Sequence, residues 1–309
     1  MNIRAIDRKL LRDLRGMWGQ AVAIAFVLLA GVATYVGMIS VMETLQTTLD
    51  EYYRDYRFAD GFANVRRAPE TLRERLRRVP GVSHVETRVT AAANLEVPGF
   101  DDPISSLIVS LPGSGQPALN RLFLRQGRLP GETEGEVVLN EPFAEAQDLA
   151  VGDRFTAILN GRRRTLSVVG IALSPEFLMQ IQPGSLFPDP ERFGVLWMNR
   201  SALAAANDME GAFNDVAFTL APGANIDQVT ARMDVILERY GGRGAFPRAD
   251  QPSHILITEE LQALGAVARM LPVIFLAVAA FLLNIVVTRL ISLQREQIAA
   301  LKAFGYSNR

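Results

Sequence analysis

The sequence predicts a membrane protein with α-helical transmembrane spans and a large external α+β domain. Two apolar runs carry the first half of this prediction: Ala21 to Val41 and Met270 to Val287, neither of which contains a charged residue. Each approaches the ~20 residues that a helix needs to cross a hydrocarbon core of about 30 Å. The mixed strand and helix pattern of residues 42–269, between the two runs, carries the second half.

Residues 1–16 are predicted to form a cytoplasmic amphipathic helix. Apolar and basic residues recur there at helical spacing on different faces, which is typical of a helix that lies on anionic headgroups. The apolar residues are Ile3, Ile6, Leu10, Leu11 and Leu14, and the basic ones are Arg4, Arg8, Arg12 and Arg15. A solvated, charged leader is the alternative.

Transmembrane helix 1 is predicted at residues 17–42. Its only polar side chains after Ala21 are Thr34, Tyr35 and Ser40, which can bond to their own helix or lie near an interface. The run is longer than the ~7–15 apolar residues of a signal peptide, so we expect an uncleaved anchor. The apolar period continues to Tyr56, which predicts that the helix extends outward as a stalk.

Charge bias predicts the orientation. The segment before the first span is rich in arginine and the segment after it is rich in acids, while four basic residues against one acid follow the second span. By the positive-inside rule both termini are cytoplasmic and residues 43–263 are external. Transmembrane helix 2 is predicted at 264–288, and Pro272 is expected in the first turn of its apolar run, which begins at Met270, where a missing N–H costs little. Residues 289–309 then return to the cytoplasm.

Composition limits what the external domain can be. The chain has 309 residues, of which 49% are hydrophobic and 21% charged, and a net charge of -1, so it is neither disordered nor a nucleic-acid-binding protein. It has no cysteine, which excludes disulfides and thiolate metal sites. The external domain must therefore be held together by burial of an apolar core.

Both ends of the external region are predicted to contribute a strand–helix–strand unit to one α+β sheet. The predicted elements are a strand at 62–65, a helix at 69–78, a strand at 85–97, a strand at 215–220, a helix at 226–240 and a strand at 254–257. Thr258, followed by two acids, is predicted to cap the returning stalk helix. A β-rich insert is predicted at about 122–200, with a hairpin turn at Asn160-Gly161.

The last segment, RLISLQREQIAALKAFGYSNR, points to a function. It resembles the R-x-x-E-x-x-x-L-K-x-x-G stretch that follows the second membrane helix in the FtsX-like permease family of ABC transporters, although Arg and Glu are adjacent here. In that family this stretch is a coupling helix that docks onto a separate ATPase. The resemblance therefore assigns ATPase coupling to Arg295, Glu296, Leu301, Lys302 and Gly305.

The external region is also similar to the MacB-like periplasmic core domain found in such permeases. The parallel stretches are LFLRQGRLP from Leu122, GEVVLNEPFA from Gly135, LAVGDRF from Leu149 and LSVVGI from Leu166. The resemblance implies a split, porter-like α/β lobe that carries the β-rich lobe. Since family members have at least four membrane helices, we expect this chain to be the N-terminal part of a longer, multi-pass permease of the bacterial inner (plasma) membrane.

The implied activity is mechanotransmission, in which a cytosolic ATPase moves the coupling helix and the stalks relay that motion to the external domain. The implied partners are membrane lipid, a cytosolic ABC ATPase subunit and a second permease domain or copy in a dimer-like assembly. The sequence has no G-x-x-x-x-G-K-[ST] loop, so ATP and Mg²⁺ are expected only on the ATPase. Lipids, lipoproteins, peptides and small molecules all suit such a transporter as substrates.

The sequence offers no catalytic set, so a non-catalytic subunit is expected. His84 and His254 are the only histidines and lack metal-ligand spacing, and no G-x-S-x-G motif is present. No cofactor or metal site is predicted. The main alternative is a two-span membrane receptor with an external sensing domain that signals to a cytosolic module.

One loop, residues 174–198, is a candidate contact surface because it combines large apolar side chains with four prolines. The residues proposed to touch a partner or substrate are Phe177, Leu178, Met179, Ile181 and Phe187. The alternative is a loop packed onto its own β lobe.

Overall fold

The computed structural model describes residues 12, 15, 18–100, 102, 104–185, 187–303 and 305. The chain divides into a folded unit, Thr48–Glu259, and a helical unit built from the residues before and after it. The predicted amphipathic helix at 1–16 lies almost wholly outside the described residues, which include only Arg12 and Arg15 of it.

Along the chain, one long helix comes first and another comes last, and the strands and short helices lie between them. In chain order they are α1 (Trp18–Asp55), β1 (Gly61–Pro69), α2 (Arg73–Arg77), β2 (Val82–Arg88), β3 (Thr90–Glu96), β4 (Ile104–Leu111), β5 (Phe123–Gly127), β6 (Glu136–Asn140), α3 (Glu141–Ala146), β7 (Arg154–Leu159), β8 (Arg162–Leu173), β9 (Phe193–Asn199), α4 (Arg200–Ala206), β10 (Ala212–Leu220), α5 (Ile226–Leu237), β11 (Ala245–Pro247) and α6 (Pro252–Ala303).

The helical unit consists of the apolar parts of α1 and α6. Both helices are long and apolar enough to cross a membrane, and most of their side chains there are exposed. The two helices touch at Gly31, where an added Cβ would lie 2.9 Å from the Phe275 side chain. A small residue at such a crossing allows close approach of helices in lipid.

Pro272 corrects one prediction about the second span. It lies in the interior of α6, not in the first turn of a helix, because α6 begins twenty residues earlier, at Pro252. Its ring removes one i→i−4 backbone hydrogen bond from the middle of the helix.

A four-stranded sheet forms from both ends of the folded unit, as predicted. Its order is β11-β1-β10-β2 and all its neighbours are antiparallel. α5 packs on it with Val229, Met233 and Leu237, which recur at a spacing of four residues. The Asn225 side chain caps this helix by accepting a hydrogen bond from the N–H of Gln228 at 3.1 Å.

The remaining strands form a seven-stranded sheet of order β5-β8-β6-β9-β4-β3-β7, which a further pairing of β7 with β8 closes on itself. The predicted hairpin joins β7 and β8, and Asn160 and Gly161 have positive φ values of 49° and 73°. The side chains of Leu139, Phe143, Leu166 and Leu196 fill its largest core and are fully buried.

Two boundaries in the folded unit differ from the prediction. The predicted strand at 85–97 is two strands, because the chain leaves the four-stranded sheet after Arg88 and joins the other sheet at Thr90. The β-rich sheet therefore begins about thirty residues before position 122, since β3 and β4 belong to it.

The prediction of a strand at 254–257 is wrong, because these residues form the start of α6. The edge strand of the sheet is β11, only three residues long. Thr258 does not cap the helix either. Gln251 occupies that place: its Oε1 accepts a hydrogen bond from the N–H of His254 at 2.8 Å, and Pro252 takes the first helical position.

Candidate functional site at the junction of the helix ends

The end of α1 and the start of α6 meet inside the folded unit. The Tyr53 hydroxyl lies 3.1 Å from Nδ1 of His254, which joins the last turn of one helix to the first turn of the other. The Tyr53 ring also packs on Phe58, with ring centroids 4.7 Å apart. Both helix ends are therefore held in one aromatic cluster.

Arg248 ties the segment before α6 to the segment after α1. Its guanidinium donates to the carbonyl oxygens of Phe58 and Ala59, both at 2.7 Å, and to Oδ1 of Asp60 at 2.6 Å. It also lies over the Phe58 ring, 4.9 Å from the centroid. Burial lowers the pKa of Arg248, but the neighbouring Asp60 opposes this shift and favours the charged form.

Asn120 connects this junction to the space between the two sheets. Its Oδ1 accepts a hydrogen bond from the N–H of Ala59 at 2.8 Å, and its own backbone N–H donates to the carbonyl of Arg57. Its Nδ2 donates to Oε2 of Glu176 at 2.6 Å. One buried amide therefore contacts the α1–β1 connection on one side and a carboxylate of the β-rich lobe on the other.

An ion cluster of Arg88, Glu176 and Asp215 lies between the sheets. Arg88, at the end of β2, donates to Asp215 of β10 at 2.6 Å and to both carboxylate oxygens of Glu176 at 2.5 and 2.8 Å. The three side chains are only 7% to 8% exposed. Such a forked Arg–carboxylate contact has a defined direction as well as strength.

Burial and charge act against each other in the ion cluster. Burial alone would lower the pKa of Arg88, but the two carboxylates outweigh it and raise that pKa above its ordinary value. Burial raises the pKa of Glu176 and outweighs the opposing attraction of Arg88, and the negative charge of Asp215 adds a smaller contribution in the same direction. The cluster is stable only while its members keep each other as partners.

Residues at the start of α6 and just before it also form hydrogen bonds with the segment that contains Glu176. Nε2 of Gln251 donates to the carbonyl of Glu176 at 2.6 Å, and the N–H of Met179 donates to Oγ of Ser253 at 2.9 Å. Hydrogen bonds thus run from both helix ends to Glu176: Asn120 binds its carboxylate and Gln251 binds its backbone carbonyl. This arrangement links both helix ends to the interface between the sheets through hydrogen bonds.

The candidate contact loop divides between buried and exposed side chains. Phe177 packs in a T-shaped contact with Trp197, and Leu178 packs against the aromatic cluster of the junction, so both lie against the protein itself. Met179 and Ile181 are half-buried. Phe187 is 76% exposed and is the member of the set best placed to touch a partner.

The five residues assigned to ATPase coupling lie at the far end of α6. Arg295, Glu296 and Lys302 are exposed, and Leu301 is helical. Gly305 follows the helix with a φ of 82°, and its N–H donates to the carbonyl of Lys302 at 3.0 Å. The segment continues α6 without a break through Ala303, so it is not a separate short helix.

Sequence reasoning missed the ion cluster and Asn120. Arg88 and Glu176 are 88 residues apart, and Arg88 and Asp215 are 127 apart, so no local pattern joins them. One signal was present: Arg88 is the only basic residue in the strand-like run 85–97, and such a residue needs a partner when buried. Among the described residues, no group of three His, Cys, Asp or Glu side chains could hold a metal ion.

Comparison with known proteins identifies the family to which the chain belongs. The family model of the MacB-like periplasmic core domain matches residues 22–236. The periplasmic region of MacB from Actinobacillus actinomycetemcomitans aligns with 13% identity and a TM-score of 0.39, covering 70% of this chain and 98% of that one. The extracellular domain of the ABC-type transporter YknZ from Gram-positive bacteria aligns with 12% identity and a TM-score of 0.39, covering 61% and 98%. None of the curated proteins compared matches the chain.

Proposed function

Because this chain belongs to the family with a MacB-like periplasmic core domain, we propose that it is a membrane-bound permease subunit of an ABC transporter. In this role it couples ATP hydrolysis by a separate cytosolic ATPase to motion of the external domain. The chain spans the membrane through α1 and α6, with both termini in the cytoplasm and the folded unit outside. The family match favours this role over the two-span receptor.

The observation that carries the proposal is the helix junction. Two long helices with apolar outer parts end in one cluster, in which Tyr53 contacts His254 and Arg248 bonds to the backbone after α1. A helix transmits force only if its end is held firmly by the body that it moves. The hydrogen bonds from Gln251 and Asn120 to Glu176 extend that hold to the β-rich lobe.

The cytosolic end of the relay is the exposed far end of α6. Arg295, Glu296 and Lys302 present both signs of charge there, which suits recognition of a partner by complementary charge. Leu301 and Gly305 complete the segment that we assign to the ATPase contact. Since α6 is one continuous helix from Pro252 to Ala303, a push at this end reaches the junction without crossing a loop.

Membership of this family does not define the chemical class of the substrate. Export or extraction of a lipid, lipoprotein, peptide or small molecule is compatible with a transporter that moves an external domain. Membrane lipid and a second permease domain or copy are the other proposed partners. The exposed Phe187 is the proposed point of contact with a partner or substrate outside the membrane.

Purification of the tagged full-length protein from its native membrane tests the proposal. We expect an ATPase with a G-x-x-x-x-G-K-[ST] loop to co-purify, and Glu296→Lys to reduce its recovery at least about tenfold, since a reversed charge at a complementary contact costs several kcal/mol. Glu259→Lys is the matched control, because Glu259 is equally exposed on the same helix but lies in the folded unit.

Two results would contradict the proposal. One is the absence of any such ATPase from the purified protein. The other is equal loss of the ATPase in the Glu296→Lys and Glu259→Lys variants, which would indicate a general effect of charge reversal on α6 rather than a contact at its far end.

A further inference from the structure

An open pocket of about 510 Å³ lies beside the helix junction, inside the folded unit. Its wall combines the last turns of α1, the turn that follows, the start of β2 and the segment before α6. The lining residues that this inference uses are Asp50, Arg54, Arg57, His84 and Arg248. Nothing in the proposed relay requires a pocket at this place.

The charge of the pocket is strongly one-sided. Three arginines line it, whereas Asp50 is the only carboxylate in its lining. No described carboxylate lies within 4.0 Å of the guanidinium of Arg54 or Arg57. Their donors are therefore open to a ligand.

Arg248 provides a fixed third donor group. Its Nε and Nη2 are held by Phe58, Ala59 and Asp60, while its Nη1 has no hydrogen-bond partner among the residues that the structure describes. A guanidinium that is held on one edge presents its other edge in a defined direction. This is the geometry that suits an oxyanion.

The backbone at Arg57 adds a second, independent observation. Arg57 has a φ of 50°, in the left-handed region that residues with a Cβ adopt rarely and that glycine adopts freely. Its N–H bonds to the carbonyl of Arg54 and its carbonyl to the N–H of Asn120, which hold the turn. Glycine would adopt this turn with less strain, and residues held in such conformations are concentrated at active sites and ligand-binding sites.

We propose that this pocket binds a phosphate group, which the guanidinium groups of Arg54, Arg57 and Arg248 contact together. A phosphate offers several acceptor oxygens and up to two negative charges, so it can accept hydrogen bonds from several arginines that line one pocket. The group has two possible sources, free phosphate and the phosphate of a lipid headgroup. The inference does not depend on the proposed transport function.

A bound phosphate would join segments that are distant in the chain. Arg54 lies in the last turn of α1 and Arg57 just after it, whereas Arg248 precedes α6, and these segments meet at the junction of Tyr53 and His254. Occupation of the pocket would therefore stiffen the junction, and the midpoint of thermal unfolding should rise with ligand concentration.

Calorimetric titration of the full chain in phosphatidylcholine nanodiscs tests the site. One arm uses inorganic phosphate at constant ionic strength, and the other uses short-chain phosphatidic acid, with short-chain phosphatidylcholine as its control. We expect saturable binding at one site in at least one arm. Binding in the first arm assigns the site to free phosphate, and binding in the second arm alone assigns it to a headgroup.

Two variants and one control decide whether the pocket is responsible. Arg57→Gly relieves the backbone and Arg54→Gln keeps a polar side chain, and each should weaken binding at least about tenfold through loss of a charge-assisted contact. Arg75→Gln changes an exposed arginine that does not line this pocket and should bind like the wild type. The proposal is overturned if neither probe binds saturably, or if Arg57→Gly and Arg54→Gln bind as tightly as the wild type.

Discussion

The interiors of the two sheets and the space between them are held by different chemistry. Each sheet has an apolar core, with Phe213 and Phe218 fully buried in one and Phe143 and Leu196 in the other. Between the sheets lies the ion cluster of Arg88, Glu176 and Asp215, joined by Asn120. Apolar contacts have little directional preference, whereas forked ion pairs and amide hydrogen bonds do.

This difference separates stability from orientation. The apolar cores keep each sheet folded, and the polar contacts fix how one sheet is placed against the other. Buried ionic groups often contribute little net stability compared with apolar residues of the same size, yet removal of one partner is costly. A polar interface of this kind is compatible with the proposed function, in which the helix ends would displace one sheet relative to the other.

Loss of Arg88 should have the largest effect. Arg88→Ala leaves Glu176 and Asp215 buried without their cation, and we expect the free energy of unfolding to fall by about 3–5 kcal/mol. Chemical unfolding of the full chain in detergent, followed by circular dichroism, measures this loss. Arg75→Ala, at an exposed position, is the control and should change stability by less than about 0.5 kcal/mol. A loss in Arg88→Ala no larger than this would show that the ion cluster does not hold the sheets.

A change inside one apolar core should come next. A Cβ added at Gly61 would lie 2.3 Å from Cζ of the buried Phe218 ring, so Gly61→Ala should cost about 1–3 kcal/mol through overpacking. Gly113→Ala is the matched control, because an added Cβ there meets no atom within 4 Å. Equal unfolding midpoints for the two variants would mean that the Phe218 ring moves aside without cost.

Removal of one hydroxyl at the helix junction should have a smaller effect. Tyr53→Phe keeps the ring contact with Phe58 but removes the hydrogen bond to His254, and we expect a loss of about 0.5–1.5 kcal/mol. Tyr56→Phe serves as the control. If the two variants have the same unfolding free energy, the Tyr53–His254 contact does not join the helix ends.

The smallest effects should appear in the pH dependence of stability, and they should have opposite signs for Glu86 and Glu136. Burial raises the pKa of Glu86, whose Oε2 accepts a hydrogen bond from the N–H of Leu119 between the sheets. The contribution of Glu86 to stability therefore falls as the pH rises above 4.5, the ordinary pKa of this carboxyl group. The hydrogen bond from Arg128 lowers the pKa of Glu136, at the start of β6, from 4.5 to about 2. That contribution is complete above pH 4.5 and is lost as pH falls toward 2.

The matched variants separate the two carboxyl groups. Glu86→Gln should remove part of the decline in stability above pH 4.5, whereas Glu136→Gln should remove part of the rise between pH 2 and 4.5. Thermal unfolding midpoints across this range provide the measurement. A change in the same pH range for both variants would contradict the opposite pKa shifts of Glu86 and Glu136.

Local chemistry predicted the parts of the fold that depend on neighbouring residues. The Asn160-Gly161 turn, the helix that ends at Leu237 and the extension of α1 to Asp55 all follow from short-range patterns. The prediction failed where the tertiary structure overrides a pattern. The run 85–97 has strand character throughout, but the chain changes sheets after Arg88, whose partners lie far away in sequence.

The start of α6 shows why the sequence pattern predicts too late a beginning for the helix that returns to the second apolar run. His254 to Ile257 is an apolar stretch that suits a strand, and Thr258 is a common capping residue. The Gln251 side chain caps the helix instead, and its Nε2 is fixed by the carbonyl of Glu176, a contact made by residues 75 positions apart. Contacts of this range depend on the folded structure and leave no local signal.

Accessibility of single thiols in intact cells tests the central claim, which is that the folded unit and the far end of α6 lie on opposite sides of the membrane. The chain has no cysteine, so Arg162→Cys and Ala300→Cys each introduce the only thiol, and both positions are exposed. A membrane-impermeant maleimide should label position 162 in intact cells and position 300 only after permeabilisation. Labelling of position 300 with protection of position 162 would contradict the proposed topology and the relay that depends on it.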